Sequence, residues 1–293
     1  MQLQHRTGLG VILALTGGLL ISLDIPVIRL AGGDPWIVML CRGLGLTLVL
    51  GYVLVFRKNW TQTPRDPFDN PKWVEVGIYY GITSIMFTLA VFNTSAANLV
   101  FILAFNPMIA ALFAWWLFGE RPGPATCIAI VLTIAGVAII VGEGLQGGTI
   151  KGDLAALLAA MFLALSLVRC RQSGQDMSLS GCLGGMIAAL FALPMAIAYS
   201  TIPDAPWWLA LNVLVMVPAS GFTLQLAPRF IPAAQVSMFF LLETVLAPVW
   251  IWLIFRDVPS ANTILGGAIV LGAIAGHSVW QLRTTNRITA PTA

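Results

Sequence analysis

Long apolar runs separated by short polar breaks make up almost the whole chain. Ten stretches of about 20 residues, the length that crosses a bilayer as helix, can be marked at 8–30, 35–56, 73–92, 96–118, 124–143, 151–172, 178–200, 207–227, 231–254 and 260–281. Most breaks hold turn-forming residues: Gly32-Gly33-Asp34-Pro35, Gly119 to Pro124, Pro203 to Pro206, and Asp257 to Pro259. The connection from Arg57 to Lys72 is longer, contains Pro64, Pro67 and Pro71, and reads as an irregular surface loop. The pattern predicts an all-α polytopic membrane protein with ten transmembrane helices.

The polar positions inside the apolar runs repeat at a displacement of 137, counted from Asn106 to Glu243. Asn98 then aligns with Gln235, Trp115 with Trp252, Phe118 with Phe255, Glu120 with Asp257 and Pro122 with Pro259. That displacement equals five helices, and an odd number of crossings turns the second unit upside down. The expected organisation is a 5+5 inverted-topology repeat, residues 1–143 and 144–282, followed by a short cytoplasmic tail, 283–293. Inverted pairs of this kind underlie alternating access, with the binding site near the midplane between the halves.

Composition agrees with the pattern. Of 293 residues 58% are hydrophobic and only 9% charged, far too few charges for the surface of a soluble domain. A formal charge of +3 and the lack of a basic-aromatic patch give no reason to expect nucleic acid. Met1 to Ile21 has the outline of a signal peptide without its cleavage pattern and reads as a retained first helix. With the N-terminus inside, Arg6, Arg57, Lys58, Arg65, Lys72, Arg121, Arg169, Arg171, Arg229, Arg283 and Arg287 collect on one side, against Arg29, Lys151 and Arg256 on the other. This bias places both termini in the cytoplasm, in the inner (plasma) membrane of a bacterial-type host. Cys41, Cys127, Cys170 and Cys182 lack metal-type spacing and read as packing residues. No nucleotide, zinc or nucleophile motif is present, so neither an enzyme, a metal nor a cofactor is expected.

The polar groups within the spans are the candidate chemistry. Asn98 and Asn106, like Gln235 and Glu243, are eight apart and so lie within about 80° on an unbroken helix, which points each pair toward a shared interior. A carboxylate such as Glu243 in hydrocarbon must be protonated, paired or wet; it reads either as a proton-coupling or substrate-amine contact, or as a structural hydrogen bond between helices. Asp24 and Arg42 are the other deep charges, open to two readings: substrate contacts, or an ion pair that neutralises both. Pro26 frees the carbonyl of Ser22 beside Asp24, a helix break of the kind used in transporter sites. Pro107 and Pro248 do the same near Asn106 and Glu243 and are read as hinges. Tyr79, Tyr80, Thr83 and Ser84, with Phe101, Phe239 and Trp250, are candidates to wall an aromatic and polar pocket. Gly77/Gly81, Gly181/Gly185 and Gly272/Gly276 are expected to allow close helix contact.

The segment Asn106-Pro107-Met108-Ile109-Ala110-Ala111-Leu112-Phe113-Ala114-Trp115-Trp116-Leu117-Phe118-Gly119-Glu120-Arg121-Pro122, with its counterpart from Leu242 to Pro259, resembles the EamA-type branch of the drug/metabolite transporter superfamily. The second copy has Thr244 where the family often has proline, and Arg256-Asp257 in place of Gly-Glu. The resemblance implies export of small metabolites, and within the branch the chain looks most like exporters of aromatic and other hydrophobic amino acids. The expectation is a secondary transporter with an amino-acid substrate in a lipid bilayer, working as a monomer without a cofactor. Glu243, Asn106, Asn98, Gln235 and Tyr79 would then contact substrate, and Asp24 or Arg42 would hold a zwitterion. A multidrug or other metabolite exporter, and a non-transporting membrane sensor, are the alternatives.

Overall fold

A computed structural model describes residues 2–32, 34–56, 70–94, 96–141, 149–199, 203–255 and 261–289, with no strand among the described residues. Most of the expected loop between Arg57 and Lys72 lies outside them. Eight helices are long and apolar enough to cross a membrane, and two further apolar helices, Pro124–Ile140 and Ala233–Leu246, are shorter. Their outer faces carry large apolar side chains such as Trp116, Ile197 and Leu48, at 79%, 77% and 65% exposure. Hydrocarbon accommodates such a surface and water does not, so this is a multi-pass membrane protein.

The first span breaks where proline predicts it. Pro26 has no amide hydrogen for the carbonyl of Ser22, and α1 (Gln2–Ser22) gives way at Leu23 to α2 (Asp24–Ala31). After α3 (Pro35–Phe56) and α4 (Pro71–Asn93), the fourth span breaks between α5 (Ala96–Leu103) and α6 (Asn106–Phe118). There the amides of Ala104 and Phe105 tighten onto the carbonyls of Phe101 and Ile102.

Beyond α7 (Pro124–Val141), α8 (Ile150–Ser173) and α9 (Gly181–Tyr199), α10 (Pro206–Leu211) passes through one π-helical turn, Asn212–Met216, into α11 (Val217–Leu226). The ninth span breaks in the register of the fourth, between α12 (Ala233–Phe240) and α13 (Leu242–Phe255). Pro248, the expected hinge, is not at that break: α13 runs unbroken past it, as membrane helices can where the freed carbonyl is satisfied locally. The break sits where α1 presses close, since a Cβ on Gly18 would lie 2.5 Å from the carbonyl oxygen of Phe239.

The last helix, α14 (Ala261–Thr289), pairs with α7. Their close approach uses Gly136, whose Cβ would meet the Gly266 carbonyl at 2.8 Å, while Gly272 and Gly276 face open space. The expected contact at Gly272/Gly276 is thus replaced, because close packing follows the helix face and those two glycines lie on the outer one. Gly77 and Gly81 of α4 do pack on Leu183 and Ile187 of α9, and Gly185 packs on Gly43 of α3.

Two polar ends cap the bundle. At one, Arg169 Nε donates to Glu75 at 3.0 Å, Arg171 lies 3.9 Å from Glu120, and its Nη1 is 3.5 Å from the carbonyl of Pro228. At the other, Thr94 Oγ1 donates to Asp153, Thr149 Oγ1 to the carbonyl of Asn93, and the Ala205 amide to the carbonyl of Ala31.

Candidate functional site

Asp24 is the first residue of α2, placed by the Leu23 break so that its carboxylate turns inward, and it is 3% exposed. One oxygen accepts Arg42 Nη1 from α3 at 2.5 Å; the other accepts Asn212 Nδ2 at 2.6 Å. Asn212 opens the π-helical turn. Such turns insert an extra residue and re-aim side chains, frequently at functional sites. Its own Oδ1 is buried and has no partner among the described residues.

The ninth span closes onto the same place. Trp250 Nε1 donates to Ser22 Oγ at 3.0 Å, two residues before Asp24, and Ser22 in turn donates to the carbonyl of Leu19. Glu243 is half-buried and lies within electrostatic reach of both Asp24 and Arg42, and Tyr80 is within reach of the same pair. No hydrogen bond from a described residue is seen on the Glu243 carboxyl. The cluster therefore gathers two carboxyls, one guanidinium, a carboxamide, a phenol and an indole from the first, second, third, eighth and ninth spans. Chemically it can receive an ammonium on its acidic side and a carboxylate beside Arg42. Of the two readings left open for Asp24 and Arg42, the ion pair is the one formed here.

The other predicted residues do not converge on it. Asn98 Nδ2 donates to Asp153 at 3.3 Å, at the bundle end, and Gln235 Nε2 reaches Ser278 Oγ at 3.5 Å beside α14. Asn106 Nδ2 donates to the carbonyl of Ala160 on α8 at 2.7 Å. The 100°-per-residue count that joined Asn98 to Asn106 and Gln235 to Glu243 fails because each span breaks between the paired residues. Tyr79 turns away: its hydroxyl donates to Glu75 at 2.6 Å and its ring packs on Phe162. Thr83 donates to the backbone of Tyr79, and Phe239 is a core residue at 2% exposure. Pro26 and Pro107 are buried; the side chain of Pro248 lies outside the described residues.

Asn212 was missed. The available signal was a lone carboxamide inside an apolar stretch, six residues before Pro218, whose missing amide hydrogen leaves the carbonyl of Leu214 free.

Comparison with known proteins bears on the whole chain. The model of a family described as the EamA-like transporter family matches residues 8–142 and 150–279. Over 109 residues the chain is 31% identical to solute carrier family 35 member G1 of Homo sapiens, a match that covers 33% of this chain and 30% of that one. The chain thus spans under a third of the length of this curated relative. A solved crystal structure of another protein superposes with a TM-score of 0.75 over 92% of this chain and 98% of its own, at 19% identity. That likeness shows the fold alone.

Proposed function

The chain belongs to the EamA-like transporter family, and from that premise we propose that it exports amino acids, aromatic and other hydrophobic or neutral ones, by alternating access. The observation that carries the substrate class is the cluster of Asp24, Glu243 and Arg42. Buried charges are costly in a bilayer unless paired or wet. A zwitterion can exchange with the internal partners, its ammonium against Glu243 or Asp24 and its carboxylate against Arg42, while Tyr80 and Trp250 offer aromatic walls.

Residues 1–143 and 144–282 are proposed as two inverted five-helix repeats, with 283–293 as a tail. In support, the fourth and ninth spans break at matched positions, and α7 and α14 begin at the matched Pro124 and Ala261. In support of the inversion, α6 leads to Glu120 beside Arg171, whereas α12 starts out from that same end, just after Pro228. Both termini are proposed to be cytoplasmic, in an inner membrane, on the positive-charge bias; the working unit is proposed to be a monomer.

To test this, proteoliposomes are loaded with labelled aromatic and neutral amino acids and efflux is compared between wild type and Glu243→Gln. Wild-type efflux with a variant at the background of empty liposomes is expected. Equal efflux removes Glu243 from the mechanism, and no efflux of any amino acid removes the substrate class. The surplus of acid over base in the cluster favours a second reading, export of bulky organic cations, which competition by such cations for efflux would reveal.

A further inference from the structure

We propose that the small cavity beneath the charged cluster is a water site, in which one bound water joins Tyr80, Ser166 and Gln225 and so ties α4, α8 and α11 together. The cavity, about 10 Å³, has Tyr80, Leu163, Ser166, Gly221 and Gln225 in its lining. Roughly one water fits in such a space. Apolar cavities stay dry, but this one has polar atoms with nothing to bond.

Ser166 is fully buried, at 0% exposure, and its hydroxyl has no partner among the described residues. Its position makes this unusual. Thr47, Thr83, Thr88, Thr133, Thr223 and Ser237, all within helices, return their hydroxyls to a carbonyl of the preceding turn. Ser166 makes no such bond and lines the cavity.

Gln225, 3% exposed, supplies the second group. Its Oε1 lies 2.7 Å from Ser180 Oγ, and its Nε2 is unpaired. Ser180 has a single hydroxyl proton, and the carbonyl of Met177 also lies 2.7 Å away. If that proton goes to Met177, Gln225 must turn its amide over to donate to Ser180, which leaves Oε1 unpaired instead. Either way one amide atom is left over. A water, which both donates and accepts, satisfies the site in both arrangements. A metal cation needs more oxygens than two hydroxyls and one amide can offer.

Tyr80 completes the site. Its hydroxyl lies 3.3 Å from where a Cβ on Gly221 would be, so that glycine leaves the space open. The same phenol is within electrostatic reach of Arg42 and Asp24. The water therefore joins the charged cluster to Gln225 and Ser180 through hydrogen-bonding groups, and Ser166 and Gln225 act as positioning residues for Tyr80.

The test is radiolytic hydroxyl labelling of the full chain in nanodiscs, with and without rapid mixing into ¹⁸O water. It needs no transported substrate, so its outcome is separate from that of the export assay. Labelling at Tyr80 and Leu163 that takes up ¹⁸O slowly is expected, while the exposed Tyr52 and Tyr199 take it up at once. Ser166→Ala combined with Gln225→Leu should remove most labelling at Tyr80 and leave Tyr52 and Tyr199 unchanged. Where that pair fails to fold, Gly221→Ala, which puts a methyl group beside the phenol, should give the same loss. Labelling at Tyr80 and Leu163 no stronger than at the buried Trp73, labelling unaffected by the variants, or labelling that changes when sodium replaces potassium overturns the proposal.

Discussion

Asp24 accepts Arg42 on one carboxylate oxygen and Asn212 on the other, so a single side chain joins the second span to the eighth across the bundle. Both of its oxygens are engaged, while Glu243 nearby has no described hydrogen bond to hold it. The two acids are therefore unequal: one is held by protein, the other is open to an incoming partner.

Removing one member of the Asp24–Arg42 pair strands the other. Asp24→Asn or Arg42→Gln alone should each destabilise the protein by about 3 kcal/mol, the lower end for a broken buried pair because Arg42 is partly open. The double variant strands neither member of the pair and leaves only the half-buried Glu243, so it should recover most of that loss, read as the melting temperature in detergent, while efflux stays lost. A double variant as unstable as its parents would show that the pair does not neutralise itself.

Tyr79 and Tyr80 are neighbours in sequence that point to different places. Tyr79→Phe removes a hydrogen bond to Glu75 at a half-exposed site, worth about 1 kcal/mol, and should leave efflux close to wild type. Tyr80→Phe should impair efflux with a similar or smaller stability change. Flux measurements on both variants decide it, and the reverse ranking would move the site to the other face of α4.

Glycines of similar appearance on α14 should respond differently. Gly266→Val forces a side chain against the Gly136 carbonyl and should cost about 2 kcal/mol or more. Gly272→Val points into open space and should stay within about 0.5 kcal/mol of wild type. Thermal inactivation in one detergent compares them directly.

The ninth-span break at Leu241 lies against α1 and apart from Pro248. Gly18→Ala pushes on the carbonyl of Phe239 and should cost about 2 kcal/mol. Pro248→Ala removes a helix-disfavouring ring and should hold or raise stability, with efflux retained. Lost efflux in Pro248→Ala alone would restore the proline as the hinge.

Part of the architecture was readable from the chain. The apolar stretches and the breaks at Pro26 and before Pro107 follow from properties of single residues, as does the choice of Asp24, Arg42 and Glu243 as groups to look at. The cost of a charge in lipid, or of a proline in a helix, is incurred wherever the residue lies in a span, so it can be summed along the sequence without knowing any neighbour.

The partners of each polar group were not readable. Direction around a helix accumulates by about 100° at every residue, so the tightened turns at Ala104–Phe105 and Leu241 and the π-helical turn at Asn212 re-aim everything beyond them. Across those turns Asn98, which meets Asp153, is parted in direction from Asn106, and Gln235, which meets Ser278, from Glu243, while Asn212 at the start of the π-helical turn meets Asp24. Single residues mark which segments are apolar enough for a membrane and which polar groups must find company there. Only the packed helices decided which company, because that choice depends on an angle set by backbone breaks and on the nearest donor or acceptor across a contact between distant parts of the chain.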